Sequence, residues 1–414
     1  MASHLHSILC QWYPRRDECR WVLATVIHVE GSNYRKVGAI MLTNELGQFY
    51  GLISGGCLEK SLLTDVKKVL TYDQPRRVYV DSSDDSESSW GRALGCGGKL
   101  TVLLQPVCNA NDYQQLAALH RALQVRSAVS YVISVEDHEA SNNQALSPHE
   151  LAALGISCAR VSRNLIDRSG RRLLIIAVQC QTHLVLFGGG VDAIPLVQMA
   201  DIMGWRVTLV DHRAGYAFAT SFPSAHAIVR AEAGSSEVAE LADTADAAIV
   251  MTHNMTMDAA ALCVLQDSKV RYVGLLGPAH RKCEVLKLAG MDVNSQANNS
   301  QSDNSQSING QANGNFIARV YGPMGLNIGG DLPESIALSA LAQCHQILET
   351  CELEACELET CELIAEPDEL TAEVDGLKNL EENGSVNNGS VNSGSVNNSS
   401  VNNATTPLRR QSSI

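Results

Sequence analysis

The sequence predicts an α/β protein with an N-terminal α+β domain, a C-terminal domain built on a parallel sheet, and a disordered low-complexity tail. Three observations support this prediction. Residues 5–180 hold strand-like runs beside glycine-rich turns, residues 181–350 alternate short apolar runs with helical stretches, and residues 351–414 are largely repetitive. An alternation of strands and helices is typical of parallel sheets.

Composition and charge narrow the class of protein. The chain has 414 residues and a net charge of −14. Thirteen acids and one lysine fall within residues 349–388, so residues 1–348 are nearly neutral. Because no basic stripe is present, we expect no nucleic-acid partner.

The sequence indicates a cytoplasmic protein without a membrane partner. No apolar run reaches the roughly 18–20 residues that a membrane span needs, and residues 1–16 lack the apolar core of a signal peptide. Thirteen cysteines spread over a long chain without an export signal favour free thiols over disulfides.

Two segments have too little apolar content or too simple a sequence to suggest a packed fold. Residues 294–316 are dominated by Asn, Gln, Ser and Gly and predict a disordered surface insertion. Residues 349–363 repeat a five-residue unit that carries Cys351, Cys356 and Cys361. Because a spacing of five gathers side chains on neither a helix nor a strand, we interpret this repeat as tandem duplication without a metal.

Residues 183–211 predict a Rossmann-like strand, glycine turn, helix and strand. The apolar run HLVLF is followed at once by Gly188, Gly189 and Gly190, and the next strand, RVTLV, ends at Asp211. In such a unit Gly188 permits the tight turn, Gly190 lets a phosphate approach the backbone, and an acid at the position of Asp211 can bind a ribose hydroxyl. The alternative is a Rossmann fold used only as scaffold, since Asp192 adds a negative charge beside the turn.

His253 follows a predicted strand at residues 247–251. Ligands of open parallel sheets bind at the carboxyl ends of the strands, which makes His253 a candidate cofactor-binding residue or proton shuttle. The alternative is a histidine that caps the following turn. A last helix is expected to start near Pro333, after a glycine-rich loop at residues 321–330.

Two cysteines in the first half stand beside glycines. Cys57 follows Gly55 and Gly56 at the predicted start of a helix, where a thiol pKa is lowered. Cys96 lies between Gly95 and Gly97, before a predicted strand. We expect both thiols to be reachable by a ligand. The alternative is that the glycines serve the turns and the cysteines only fill space.

These runs resemble the XdhC/CoxI family, the maturation factors of xanthine dehydrogenase and carbon monoxide dehydrogenase. In the first half the resemblance rests on residues 29–39, 54–59 and 90–98. In the second half it rests on residues 187–200, 204–217, 250–258, 272–278 and 322–343. Asn327 and Gln343 depart from acids that are usual or common in the family.

The resemblance implies a chaperone that binds the molybdenum cofactor (molybdopterin), supports its sulfuration and inserts it into an apo molybdenum hydroxylase. It also implies a cysteine desulfurase as sulfur donor and a homo-oligomer. Gly55, Gly56, Cys57, Cys96, Gly97, Gly188, Gly190, Asp211 and His253 are then the cofactor-binding candidates. A thiophilic metal suits Cys57 and Cys96 as molybdenum contacts. No strong acid–base constellation is evident, and a chaperone needs none.

Two alternatives use the Rossmann half differently. One is an NAD(P)-dependent oxidoreductase with His253 as acid or base. The other is a regulator that senses nucleotides. Turnover of NADH separates the first from a chaperone, and nucleotide affinity without pterin affinity identifies the second.

Overall fold

Three sheets, each supported by helices, make up the fold. The computed structural model describes residues 4–56, 58–81, 98–135, 143–156, 162–166, 170–291 and 315–357. All of these lie within one compact unit.

The first sheet is antiparallel and has five strands in the order β3-β2-β1-β5-β4. Its strands are β1 (Trp21–Glu30), β2 (Ile40–Asn44), β3 (Phe49–Gly51), β4 (Arg76–Asp81) and β5 (Lys99–Val107). Alternate residues of β1 enter two different cores, with Leu23 on one face and Val22 on the other. This is the period-two pattern of a strand that is buried on both sides.

Helices cover both faces of this sheet. They are α1 (Leu5–Trp12), α2 (Leu58–Ser61), α3 (Leu63–Tyr72) and α4 (Leu116–Gln124). After Cys57 the helical spacing of Leu58, Leu62, Val66 and Val69 predicts one apolar face, and this is confirmed because all four are buried in one core.

The second sheet is antiparallel and has four strands in the order β7-β6-β9-β8. It comprises β6 (Val129–Ser134), β7 (Gln144–Leu146), β8 (Arg163–Ile166) and β9 (Arg172–Val178), with α5 (Pro148–Ala153) packed beside it. Tyr131 of β6 and Leu174 of β9 share a core with Leu23 of β1, so the two antiparallel sheets are joined by packing.

The third sheet is parallel and has six strands in the order β12-β11-β10-β13-β14-β15. The strands are β10 (His183–Phe187), β11 (Arg206–Val210), β12 (Ala227–Val229), β13 (Ala247–Val250), β14 (Tyr272–Leu275) and β15 (Val320–Tyr321). The predicted fold class is thereby confirmed. The order reverses between β10 and β13, where ligands bind in folds of this type.

Five helices enclose the parallel sheet. They are α6 (Ile194–Ile202), α7 (Ser236–Asp243), α8 (Met255–Gln266), α9 (Ala279–Leu288) and α10 (Pro333–Glu357). Residues of α7, α8 and α9 fill one core, and residues of α6 and α10 fill the other. Because both faces are covered, the strands are continuous apolar runs.

Three boundaries differ from the prediction. The sequence before the Cys57 turn predicts a strand over residues 49–53, but β3 ends at Gly51, because Gly51 has a φ of 87° and leaves the extended conformation. Phe316, at the end of the predicted insertion, is fully buried in the core beside α8 and α9. The last helix continues to Glu357, past the predicted boundary at residue 350, since Leu, Ala and Glu favour helix. Residues 292–314 and 358–414 lie outside the described residues.

Within the described residues, no helix is both long and apolar enough to cross a membrane.

Candidate functional site

Three connecting segments leave the same end of the five-stranded sheet. Glu30, at the end of β1, is opposite Lys99, at the start of β5, and Gly51, at the end of β3, is opposite Met41 of β2. We call this end of the sheet the loop end. The described residues 31–39, 52–56 and 98, which adjoin these strand ends, therefore lie at the same end of the sheet, although they are far apart in sequence.

A buried serine–glutamate pair holds the turn before Cys57. The Glu59 carboxylate accepts hydrogen bonds from the Ser54 hydroxyl at 2.6 Å and from the Ser54 backbone N–H at 2.8 Å. The Ser54 hydroxyl oxygen accepts in turn from the backbone N–H groups of Gly56 and Leu58, both at 3.2 Å. Both side chains are buried, so the turn is fixed from inside the protein.

The glycines of this turn face open space. A Cβ atom added to Gly55 or Gly56 would have no heavy atom within 4 Å, and both residues are exposed. Gly56 has a φ of 108°, a conformation that favours glycine. A ligand can therefore approach this backbone closely. Cys57 lies outside the described residues, between exposed Gly56 and buried Leu58.

The second cysteine motif ends against the loop after β1. Cys96 and Gly97 lie outside the described residues, but Gly98 is buried. A Cβ atom on Gly98 would clash with the Ser32 carbonyl oxygen. Asn33 donates hydrogen bonds to the carbonyl oxygens of Glu30 at 2.9 Å and Lys99 at 3.2 Å. The loop after β1 is therefore tied to the start of β5, directly after the Cys96 motif.

The described cysteines are free thiols, as expected. Burial raises the pKa of Cys10 and Cys180, which makes them poorer nucleophiles at neutral pH. Among the described residues, no three His, Cys, Asp or Glu side chains are grouped so that they could hold a metal ion. The expected metal contacts, Cys57 and Cys96, are outside that set and stay predictions.

The Rossmann turn follows β10 as predicted. Gly188 has a φ of 107°, and a Cβ atom there would be 2.5 Å from the Met251 carbonyl oxygen. The chain can pass so close to β13 only without a side chain. Gly190 precedes a short 3₁₀ turn at Val191–Ala193, which leads into α6. The neighbouring Gly189 is covered by Ala217, whose backbone N–H donates to the Gly189 carbonyl oxygen at 3.0 Å.

Asp211 is buried and fully engaged by the protein itself. One carboxylate oxygen accepts from the backbone N–H and Nε of Arg213, and the other accepts from the Gly189 N–H and an Arg213 terminal nitrogen at 2.7–2.9 Å. Burial alone would raise the pKa of Asp211, but these hydrogen bonds hold it below its ordinary value. A ribose hydroxyl could bind Asp211, as predicted, only if Arg213 moved. The sequence signal that could have revealed this pair is Arg213, which lies two positions after Asp211.

His253 lies at the carboxyl end of β13 and pairs with Asp192. Its Nε2 is 2.8 Å from the Asp192 carboxylate, and the side chains are 60% and 26% exposed. His253 adopts a φ of 60°, a left-handed conformation that is uncommon outside glycine. The pair spans the gap between the two strands where the strand order reverses. The negative charge of Asp192 is therefore in direct contact with His253.

A second acid–arginine pair at this edge was not expected from the sequence. Asp258 is buried, accepts a hydrogen bond from the Thr252 hydroxyl, and contacts Arg281 at 2.6 Å. Arg213 also donates to the Thr252 carbonyl oxygen at 3.1 Å. The carboxyl end of the sheet is thus rigid and its buried charges are compensated. The partners come from separate helices and loops, so spacing gives no signal for them.

The predicted site residues form two separate groups. Gly55 and Gly56 belong to the loop end of the first sheet, and Cys57, Cys96 and Gly97 lie outside the described residues. Gly188, Gly190, Asp211 and His253 belong to the carboxyl end of the parallel sheet.

This combination defines the class: a Rossmann domain appended to an α+β domain that has an open glycine turn at one end of its sheet. Two family models match the chain. One is described as the XdhC Rossmann domain and covers residues 184–344, and the other is described as the XdhC and CoxI family and covers residues 15–81. The chain belongs to the XdhC/CoxI family.

Individual proteins show the same likeness. The chain is 28% identical over 353 residues to a Bacillus subtilis protein named as a probable xanthine dehydrogenase subunit, covering 83% of this chain and 97% of that protein. It is 24% identical over 257 residues to the molybdenum cofactor insertion chaperone PaoD from Escherichia coli, covering 62% of this chain and 66% of PaoD.

A solved structure shares the whole fold. It is described as a xanthine dehydrogenase from Bacillus halodurans, with a TM-score of 0.66 and 28% sequence identity, and the match covers 84% of this chain and 96% of that one. The likeness covers both the N-terminal antiparallel sheets and the parallel sheet of the Rossmann domain.

Proposed function

We propose that this protein binds the molybdenum cofactor and inserts it into an apo molybdenum hydroxylase of the xanthine dehydrogenase type. The observation that carries the proposal is the loop end of the five-stranded sheet. The described residues 31–39, 52–56 and 98 lie at this end of the sheet, and the open glycine turn there directly precedes Cys57 in the sequence. The relative PaoD is itself named a cofactor insertion chaperone.

The chemistry of the loop end fits transient binding of such a cargo. Exposed backbone N–H groups at glycine turns can hold the oxygen atoms of an anion without a fixed positive charge. A thiolate at Cys57 or Cys96 would offer a soft ligand to molybdenum. Exchangeable contacts of this kind allow release to a client enzyme.

Sulfuration extends the same proposal. The cofactor would stay at the loop end while a cysteine desulfurase supplies its terminal sulfur. We also propose that the chain works as a homo-oligomer in the cytoplasm, as the family resemblance implies.

The Rossmann half is proposed as a scaffold for this function. Asp211 has all of its lone pairs occupied by Gly189 and Arg213. This arrangement favours the structural alternative over an NAD(P)-dependent dehydrogenase, because the ribose acceptor is already in use.

The test is the pterin content of the purified protein. The full chain is produced in cells that make the cofactor and, as a control, in cells that lack the pathway. Oxidation then converts bound cofactor to a fluorescent pterin. We expect pterin only in the first preparation, and its absence from both would refute the proposal.

A further inference from the structure

A cleft of about 640 Å³ lies where the N-terminal sheets meet the Rossmann domain. We call it the junction cleft. Its walls include residues 34–40, residues 176–182 and residues 203–205, together with residues of α1 and α10. Its volume is in the range of small-molecule sites, about 300–1,000 Å³.

The junction cleft is separate from the carboxyl end of the parallel sheet. Thr182 and Trp205, which line it, directly precede β10 and β11. They therefore lie at the amino ends of strands whose carboxyl ends carry Gly188 and Asp211. Five residues of strand separate the two ends by roughly 15 Å at about 3.3 Å per residue.

Specific contacts form the wall on the Rossmann side. The His4 ring lies over Gly204, where a Cβ atom would be 2.6 Å from the ring carbon Cδ2. Gly204 has a φ of 76°, and its carbonyl oxygen accepts from the Gln181 side chain at 2.7 Å. These contacts fix the wall at Gly204, a position where a side chain would not fit.

The lining holds two cations, Arg35 and Lys36, against one acid, Glu349, together with the histidines His4, His6 and His345. Glu349 is 3.8 Å from His345. In the part of the chain that the structure describes, neither Arg35 nor Lys36 has a carboxylate within 4.0 Å. Two cations in a concave site without acidic partners focus a positive potential.

The pKa of the His4 imidazole also reflects the positive charges nearby. Burial first, and then the charges of Arg35 and His345, lower its pKa, while a hydrogen bond to the Met203 carbonyl acts in the opposite direction. Burial disfavours charge of either sign, whereas the nearby charges of Arg35 and His345 disfavour a further cation and favour an anion.

We propose that the junction cleft binds a small molecule through a phosphate group held by Arg35 and Lys36. Guanidinium and ammonium groups are the usual partners of phosphate oxygens, and Arg can bind them in a bidentate manner. This inference goes beyond the proposed function and does not depend on it, because it concerns the junction cleft and not the glycine turn before Cys57. Arg35 and Lys36 belong to the loop after β1, whose residues 31–39 are also part of the loop end. The phosphate could belong to the molybdenum cofactor or to a free nucleotide.

The test is calorimetric titration of the full chain with matched ligand pairs. One pair is GMP and guanosine, and the other is the oxidised fluorescent pterin of the cofactor with and without its phosphate. We expect at least one phosphorylated member to bind at least tenfold more tightly than its partner. Inorganic phosphate should compete with it.

The double variant Arg35→Gln with Lys36→Gln should weaken that binding at least tenfold. The matched control is Lys67→Gln with Lys287→Gln, which removes two exposed lysines outside the cleft and should leave the affinity unchanged. Glu349→Gln removes the acid of the lining and should tighten binding severalfold. This last variant keeps the test decisive if the double variant does not fold.

The two ligand pairs identify the source of the phosphate. Preference for the pterin pair assigns the junction cleft to the cofactor, and binding of GMP assigns it to free nucleotides. If neither pair shows a dependence on phosphate, or if the cleft variants bind like the parent, the inference is wrong. Pterin co-purification with no binding in these titrations would overturn it and leave the proposed function intact.

Discussion

Two buried side chains decide how the glycines beside Cys57 are presented. Ser54 and Glu59 form a closed set of hydrogen bonds beneath the turn, and Gly55 and Gly56 stay open above it. The turn is therefore held at a fixed position without using the side of the backbone that a ligand would contact. This arrangement explains why a charged residue, Glu59, is buried beside an apolar helix.

Replacing Glu59 with alanine should lower the free energy of unfolding by about 2–3 kcal/mol, since three hydrogen bonds to a charged acceptor are lost and their donors stay buried. Urea unfolding measures this change. The neighbouring Lys60→Ala variant, which alters an exposed side chain, should cost less than about 0.5 kcal/mol. Equal losses in both variants would contradict the structural role of Glu59.

Cys57→Ser and Cys96→Ser should each fold normally but carry much less pterin, because a hydroxyl is a poor ligand for a soft metal. The measurement is the ratio of fluorescent pterin to protein after purification. Cys108→Ser and Cys263→Ser are the controls, since both thiols lie outside the three N-terminal motifs. Parent-like loading in both Cys57→Ser and Cys96→Ser would make these cysteines structural.

At the scale of single elements, β10 begins with a buried titratable group. His183 is 1% exposed, is 3.1 Å from the Thr244 carbonyl oxygen through Nδ1, and is 2.9 Å from the Thr208 hydroxyl through Nε2. Burial lowers its pKa to about 4. The folded protein therefore holds this imidazole in its neutral form at the centre of the parallel sheet.

His183 should make the fold sensitive to mild acid. Its pKa is lower in the folded state than the ordinary value of 6.5, so the unfolded state binds the proton more tightly. Stability is then present above about pH 6.5 and is lost as the pH falls toward 4, with a loss of about 2 kcal/mol between pH 7 and pH 5.

Urea unfolding at several pH values tests this prediction. His183→Gln cannot titrate in this range, so its free energy of unfolding should fall by about 2 kcal/mol less than that of the parent between pH 7 and pH 5. Parallel curves for the two proteins would show that His183 is not responsible.

The sequence predicted the strands of the parallel sheet well and their side-chain partners poorly. HLVLF and RVTLV match β10 and β11 because strands buried on both faces need continuous apolar residues. The pairing of Asp211 with Arg213 could not be inferred from the glycine fingerprint, because the same acid position serves a ribose in other proteins. The end of β3 depended on the backbone angle of a single residue, Gly51.

At the scale of the whole molecule, three sheets create two surfaces that no single motif reveals. The loop end is a consequence of strand order, and the junction cleft is lined by segments that are distant in sequence. The sequence singled out Gly55, Gly56, Cys57, Cys96 and Gly97 as candidates, and their role stays a prediction. It did not indicate the junction cleft, because its positive character appears only when α1, the loop after β1 and α10 are brought together.

Removing residues 364–414 should leave both folding and cofactor loading unchanged. Its Asn/Ser repeats and acidic stretch cannot bury enough apolar surface to form a core. We expect the melting temperature of the truncated chain to lie within about 2 °C of the parent, which corresponds to less than about 1 kcal/mol. A drop of many degrees would show that this segment supports the fold.

Transfer of the cofactor to a client tests the central claim most directly. The full chain is purified with its pterin and mixed with a xanthine dehydrogenase-type enzyme that lacks the cofactor, and the activity of the client is followed over time. We expect activity to appear in proportion to the cofactor supplied by the chain and to appear faster than with the same amount of free cofactor. If the client is activated equally well without the chain, or not at all by the loaded chain, this protein is not an insertion chaperone.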